Sequence, residues 1–294
     1  MKRLLFIYNP HAGKELLKPK LSDIVDIFVK AGYEVVIYPT QAYQDAYKKV
    51  RRYPAGEYDL VVCSGGDGTI DEVVTGMMKR QEKNPIGYIP TGTTNDFANS
   101  LHIPRNLLGA ADNAVNGVVF PCDVGKFNDG TFVYIAAFGL FTDVSYETKQ
   151  GMKNVLGHLA YVLESAKELP FLRACSLQVD TGDALYEGEY LFGAVSNTLS
   201  VGGILKLDPQ AVHLDDGLLE LTLVRMPKNP VELGQAAAML GRGKYDGDLV
   251  LQRTVRRAVL TCGEEFPWSL DGEYVPGAAQ IEIETLPQAL ELVL

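Results

Sequence analysis

Residues 64–73 read SGGDGTIDEV, three glycines around an aspartate, directly after the apolar run Tyr58–Cys63. A strand that leaves through Gly65, Gly66 and Gly68 into a helical pattern brings backbone amides to a helix N-terminus. Unpaired N–H groups and the helix dipole there favour an anion such as a phosphate. Asp67 would repel that anion unless a divalent cation lay between them. Mg²⁺ is commonly held by one or two carboxylates together with substrate phosphates, so the stretch fits a metal–nucleotide. The plainer alternative, a helix-capping aspartate, accounts for Asp67 but not for the glycine pair before it.

Two other loops carry related chemistry. In NPHAGK, Asn9-Pro10 closes a strand, His11 and Ala12 follow, Gly13 permits an unusual backbone angle and Lys14 adds a cation. Successive amides in such a turn can form an anion-binding nest. The spacing is not that of a Walker motif, and an ordinary turn with a solvated lysine is equally open. In PTGTTNDF, Thr91, Thr93 and Thr94 offer hydroxyls, Gly92 offers close approach, and Asn95-Asp96 stands at a helix start. Thr and Asn are also good helix caps in their own right.

The elements that must position these loops alternate. Strand patterns at Arg3–Tyr8, Glu34–Tyr38, Leu60–Cys63 and Ile86–Ile89 are interleaved with helical ones at Leu21–Lys30, Ala42–Arg51, Thr69–Met78 and Thr93–Ser100. That alternation predicts a parallel sheet covered on both faces. Ligands of such sheets bind at the carboxyl ends of the strands. The three loops follow strands one, three and four, so they are expected on one edge.

From about residue 122 the pattern turns to strands: Val124–Phe127, Phe132–Ala137, Cys175–Val179, Tyr186–Val195, Leu218–Val224, Ala258–Cys262 and Gln280–Glu284. A helix is inserted at Val155–Glu168 and another lies near Val231–Leu240. The fold class expected is α/β plus β. Residues 1–122 form a parallel-sheet α/β nucleotide-binding domain, with the tail 285–294 a candidate to return to it. Residues 123–284 form a β-sandwich-like substrate domain, and the cleft between the two is the default ligand site.

Bulk properties exclude several classes. Of 294 residues 47% are hydrophobic and 22% charged, ordinary for a soluble globular protein. No apolar run approaches the roughly 18 residues of a spanning helix. The N-terminal run is too short for a signal-peptide core and reads as a first strand. The four cysteines are widely spaced without a CxxC pair, which fits a reducing cytoplasm rather than a disulfide or zinc scaffold. A formal charge of −10 argues against nucleic acid as the partner.

NPHAGK, GGDGT, PTGTTNDF and the later LDGE (Leu270–Glu273), in that order, resemble the diacylglycerol kinase catalytic domain family. That family includes bacterial diacylglycerol kinases, related lipid kinases and sphingosine kinases. The resemblance covers essentially the whole chain. GGDGT alone is shared with NAD kinases and phosphofructokinases, whereas the combination with GTTND and LDGE is specific. One position departs: Ala12 stands where the family's first loop usually has serine.

The resemblance implies an ATP- and Mg²⁺-dependent enzyme of the cytoplasm, peripherally associated with the inner face of the membrane, that phosphorylates diacylglycerol. A kinase of another lipid alcohol, an NAD kinase-like enzyme and a non-catalytic binding protein on the same fold are the alternatives. It implies that Asn9, Pro10, His11, Ala12, Gly13, Lys14, Thr40, Gly65, Gly66, Asp67, Gly68, Thr69, Ile70, Asp71 and Thr93 surround the nucleotide. Asp67 orients Mg²⁺–ATP, and Asn95, Asp96 and Asp123 extend the polar network. Glu273 is the first candidate for the base that accepts the lipid hydroxyl's proton, and Asp271 the second. A structural Mg²⁺ is implied at LDDGLLEL, held by the Asp216 side chain and the backbone carbonyls of His213 and Leu218. DG and DDG are also ordinary hairpin turns, and Asp123 can be a solvated turn residue. The family also allows a homodimer. Lys149, Lys153, Lys167 and Arg173 around the inserted helix form a candidate basic surface for anionic lipid.

Overall fold

The computed structural model describes residues 1–93, 95–140, 172–201, 205–208, 210, 212–243, 245 and 247–294. The helix expected at Val155–Glu168, with Lys149, Lys153 and Lys167, lies outside the described residues, as does Thr94. The chain divides into two compact units, Met1–Cys122 with Gln288–Leu294, and Asp123–Pro287.

In the first unit, four strands alternate with helices: β1 (Lys2–Tyr8), α1 (Leu21–Lys30), β2 (Tyr33–Pro39), α2 (Asp45–Arg52), β3 (Leu60–Gly65), α3 (Asp67–Met78) and β4 (Ile86–Pro90). Two more helices follow, α4 (Asp96–Ser100) and α5 (Leu107–Asn116). The strands are parallel in the order β4-β3-β1-β2. Their apolar runs make the core: Leu4, Leu5, Phe6 and Ile7 of β1 and Val61, Val62 and Cys63 of β3 are fully buried. α1 contributes Ile24 and Phe28, the latter edge-on to Phe6 at 5.3 Å. Tyr8 pairs with Ser64 and with Pro39, and Gly65 pairs with Pro90, so the carboxyl ends of the strands finish level.

The helix boundaries differ from the sequence pattern for identifiable reasons. α2 begins at Asp45 rather than Ala42 because the Glu72 carboxylate of α3 accepts the amides of Gln44 and Ala46 at 2.8 and 3.1 Å. Residues 91–95 remain a loop, so α4 starts at Asp96 rather than Thr93. α5 was not expected, since LLGAADNAVN has small residues where an amphipathic helix normally shows large ones. Its buried face is Ala110, Ala111 and Ala114, which lets it lie against Gly87 of β4. Asn106 caps it, accepting from the Gly109 amide. The C-terminal residues Leu292 and Val293 pair in parallel with Ile86 and Gly87.

The second unit is β-rich. It opens with β5 (Val119–Phe127), which begins four residues before the unit boundary, β6 (Gly130–Phe132) and β7 (Ile135–Gly139). Then come β8 (Cys175–Asp180), β9 (Leu185–Ser196), β10 (Ser200–Val201), β11 (Leu205–Lys206) and β12 (Leu219–Arg225). After α6 (Pro230–Arg242) follow β13 (Val250–Val255), β14 (Arg257–Cys262), β15 (Trp268–Leu270), β16 (Glu273–Val275) and β17 (Gln280–Val293). The strand order is β16-β15-β7-β9-β8-β14-β17, with β12 added to β9 and β13 to β12. One expected strand, Phe132–Ala137, is broken into β6 and β7.

Alternation decides the buried face of β12. Leu219, Leu221 and Leu223 join Phe127, Phe132, Phe138, Leu260, Ile281 and Ile283 around Trp268, which is fully buried. Residues i and i+2 share a strand face, so Glu220 and Thr222 point away from that core.

The close approach of β4 and α5 gives a first prediction. A Cβ at Gly87 would lie 2.6 Å from the Ala114 Cβ and 2.8 Å from its carbonyl oxygen. Gly87→Ala is expected to cost about 1–3 kcal/mol through overpacking, read as a lower midpoint in thermal or urea unfolding. An unchanged midpoint would mean that α5 moves away freely.

Candidate active site

Backbone bonds continue the sheet beyond the strand ends and seat the loops. The Asn9 amide donates to the Ser64 carbonyl at 2.9 Å, the Thr40 amide to Tyr8 at 2.9 Å, and the Thr91 amide to Gly65 at 2.8 Å. Asn9 shapes its own loop: its side-chain Oδ1 accepts the His11 amide and its carbonyl accepts the Ala12 amide. Residues Ala12–Glu15 then form one 3-10 turn.

The glycines are explained mainly by contact between loops. Gly13 adopts φ +54°, and a Cβ there would fall 1.8 Å from the Thr91 carbonyl oxygen. A Cβ on Gly92 would fall 2.6 Å from the Gly66 Cα. Thr69 folds back over Gly65, leaving no room for a side chain. The loops NPHAGK, SGGDGT and PTGTTND are thus in backbone contact, as their shared sheet edge predicts. Gly68 is different: it is exposed, and nothing lies within 4 Å of where its Cβ would be. Packing does not require a glycine at that position, whereas close approach of a ligand to the first turn of α3 would.

Asp67 is the first residue of α3, yet its carboxylate serves α4. Its Oδ1 lies 3.4 Å from the Phe97 amide. Burial pushes its carboxyl up from the ordinary range, while the amides of Phe97, Asp96 and Asn95 pull it back. Capping of its own helix is therefore not what places an acid here. Around it, Ser64 Oγ, Thr91 Oγ1 and Asn95 Oδ1 are buried and have no hydrogen-bond partner among the described residues. Buried polar atoms are normally paired with protein or ordered solvent, so these three fit a polar ligand at the strand ends.

The remaining residues expected to surround the nucleotide are distributed unevenly. Pro10 is half-buried, His11 is exposed with Nδ1 3.7 Å from Glu15, and Thr93 is exposed. Asp71 accepts from the Thr75 hydroxyl one turn along α3. Asp96 is buried at the start of α4. Ile70 is 2% exposed and belongs to the hydrophobic core rather than to the loop surface.

The other expected residues lie in the second unit. LDGE forms the hairpin of β15 and β16, with Leu270 paired to Glu273. Asp271 sits at its corner with φ 50° and is 4% exposed. Its carboxylate accepts three backbone amides, from Val133 at 2.5 Å, Tyr134 at 3.0 Å and Ile135 at 2.9 Å, while its own amide donates to the Ile135 carbonyl. Such bonding stabilises the anion and occupies the lone pairs a base would use. Glu273, two residues on, is exposed.

Asp123 and Asp216 come together through one loop. Asp123 is fully buried rather than solvated. Its amide donates to the Leu214 carbonyl, its Oδ2 accepts the Gly217 amide at 2.6 Å, and its carbonyl accepts from Asn197 Nδ2. Asp216 is exposed and accepts the Leu218 amide at 2.9 Å, and Gly217 takes φ 78°. Among the described residues, no three His, Cys, Asp or Glu side chains form a ready metal cluster. The donor chemistry still suits a hard cation, for which one carboxylate with backbone oxygens and water is a common set. Burial lifts the nearby Glu220 carboxyl to about 8, with the charges of Asp216 and Asp123 adding to it.

Sequence reasoning passed over Glu220, Ser196 and Ser64. Ser64 stands at the head of the glycine motif and was visible there. Glu220 offered the weaker signal of an acid at an alternating position inside an apolar strand.

Asp271→Ala would leave three buried amides without their acceptor, at an expected cost on the order of 3 kcal/mol or more. Glu273→Gln, at an exposed position, is expected within about 0.5 kcal/mol of wild type. Urea unfolding of both variants checks the contrast, and equal losses would refute it.

The diacylglycerol kinase catalytic domain pattern matches residues 3–127. The pattern described as the YegS C-terminal NAD kinase beta sandwich-like domain matches residues 136–294. A diacylglycerol kinase of Bacillus subtilis is 38% identical over 276 residues, covering 93% of this chain and 90% of its own. One from Staphylococcus epidermidis is 36% identical over 274 residues, covering 93% and 86%. The crystal structure of a diacylglycerol kinase from Bacillus anthracis shares the fold, with a TM-score of 0.79 at 22% identity over 99% of this chain and 96% of that one. With relatives at that identity along nearly its whole length, this chain belongs to the diacylglycerol kinase family.

Proposed function

We propose that the chain is an ATP-dependent lipid kinase that transfers the γ-phosphoryl group to the free hydroxyl of diacylglycerol, giving phosphatidic acid. In this transfer the bond between the γ-phosphorus and the β–γ bridging oxygen breaks, a bond from phosphorus to the lipid oxygen forms, and the hydroxyl proton passes to a base. The observation that carries the reading is the meeting of three glycine loops on one sheet edge, with Asp67 among them and Gly68 open beside it. The acceptor is taken from the relatives, which are named for it.

Phosphoryl transfer asks the protein chiefly to position groups and to stabilise charge. The amides of the Asn9–Lys14 turn and of the first turn of α3 are the proposed phosphate donors, aided by the buried hydroxyls of Ser64 and Thr91. Thr40 and Thr93 flank the same strand ends. Ala12 has no hydroxyl to add, so the first loop would bind through its backbone. Asp67 would hold the Mg²⁺ that travels with ATP, an ion that neutralises charge on the phosphates when bound. The amides of α4 keep the Asp67 carboxylate in one orientation. A second Mg²⁺ would be held by Asp216 with the carbonyls of His213 and Leu218.

Glu273 is assigned as the base. Two observations support that choice: the Asp271 carboxylate is already engaged by three backbone amides in the hairpin, and Glu273 is exposed. No helix among the described residues is long and apolar enough to cross a membrane. We further propose that the lipid is met by peripheral contact at the inner face of the membrane. Arg173 is exposed and available to such a surface. A homodimer is compatible with this reading.

The deciding assay incubates the protein with labelled ATP, Mg²⁺ and mixed micelles containing diacylglycerol, other lipid alcohols, or NAD as a soluble control. Label in phosphatidic acid is expected; label on NAD and on no lipid would replace the lipid reading with a nucleotide kinase. Glu273→Gln should lower turnover by on the order of 10²–10⁴, the usual contribution of a general base, with an unchanged melting temperature. Asp67→Asn keeps an acceptor for the α4 amides but removes the charge. It should abolish transfer with the fold intact, and a fully active variant would remove Asp67 from the nucleotide site.

A further inference from the structure

We propose that Glu220 is a positioning residue for the divalent cation of the Asp216 loop, acting from inside the sheet through the ion's water molecules, with the hydroxyls of Ser196 and Thr222 beside it. The inference rests on the reading of Asp216 as a cation ligand.

Glu220 is 1% exposed, and among the described residues neither Oε1 nor Oε2 has a hydrogen-bond partner. Ser196 faces it directly across the β9–β12 ladder, and Thr222 lies two residues further on the same face. Ser196 Oγ and Thr222 Oγ1 are likewise buried and unpartnered among the described residues. Four polar atoms thus share one buried patch on the side of β12 opposite its leucines. Burying a carboxylate without a counter-charge or donors is strongly unfavourable, so the patch calls for a positive or proton-rich occupant.

The patch is tied to the Asp216 loop by short steps. Asn197 follows Ser196 and donates to the Asp123 carbonyl at 2.9 Å; the Asp123 carboxylate in turn holds the Gly217 amide at 2.6 Å. Direct ligation by three acids is not the arrangement, since no such cluster converges among the described residues. Mg²⁺ gives up water reluctantly and keeps several molecules in most sites. Glu220 therefore suits the ion's water shell, with the hydroxyls of Ser196 and Thr222 completing the pattern. Partners of this kind orient the direct ligands, and their loss typically weakens metal affinity 10–100-fold.

The test is a MgCl₂ titration of the full chain without nucleotide, read as the rise in melting temperature and repeated with Mn²⁺ by paramagnetic resonance of the free ion. Wild type should respond, and Glu220→Gln should respond with a midpoint about 10–100-fold higher. In EDTA, Glu220→Gln should melt at or above wild type, because the substitution removes a buried acid whose oxygens have no partner among the described residues. Equal midpoints in wild type and Glu220→Gln would overturn the role of Glu220 while leaving the cation site intact. No metal response in wild type, or a wild-type response in Asp216→Asn, would overturn the cation reading itself. Should Glu220→Gln fail to fold, Ser196→Ala carries the test: its midpoint must also rise, and an unchanged midpoint refutes the proposal.

Discussion

The first unit depends on backbone meeting backbone at the carboxyl edge of its sheet. Gly13 lies against the Thr91 carbonyl and Gly66 against Gly92, at separations that leave no space for a side chain. Three loops from three strands are held in one surface by these contacts, with the Asp67 carboxylate adding a bond to the Phe97 amide. A phosphate-binding surface built of amides needs this rigidity, because amide dipoles stabilise charge only when they are already aimed. The same constraint explains why the motif has more glycines than a turn requires. Gly65 makes room for Thr69 and Gly66 for Gly92 of the neighbouring loop, and Gly68 is left as the one whose openness packing does not use.

Much of this was legible in the sequence because parallel sheets obey strong rules. Apolar runs spaced by helices give strand direction, and strand direction puts every following loop on one edge. The glycine loops could therefore be grouped without coordinates. What was not legible was why each glycine is there. Close packing against Thr69, Thr91 and Gly92 requires glycine at Gly65, Gly13 and Gly66 whether or not a phosphate is bound, and no sequence pattern announces it. Helix α5 escaped for a related reason: its buried face is alanine, chosen by the proximity of Gly87, and proximity leaves no periodic hydrophobic signal.

The acids were the hardest to assign from sequence, since residue type says nothing about which donors surround a carboxylate. In LDGE the two acids are two residues apart and equivalent on paper. The hairpin separates them: the corner residue, at positive φ, is buried on the amides at the start of β7, while Glu273 is exposed. Asp123 was open to reading as a solvated turn residue, and is instead a buried clamp on the Asp216 loop.

These acids meet one physical problem to different degrees. A buried carboxylate must be neutralised, solvated by donors, or joined to a cation. Asp271 takes the second course completely, with three amides of one strand start. Asp67 takes it in part, since the α4 amides offset a burial that still holds its carboxyl above the ordinary range. Those amides fix the orientation of the carboxylate, which suits the metal-holding role proposed for it. Glu220 has neither donors nor a counter-charge among the described residues, although it is the most deeply buried of the three. Burial lifts its carboxyl to about 8, so it takes the first course and holds a proton at neutral pH, and the cation proposed for the Asp216 loop would offset the same cost.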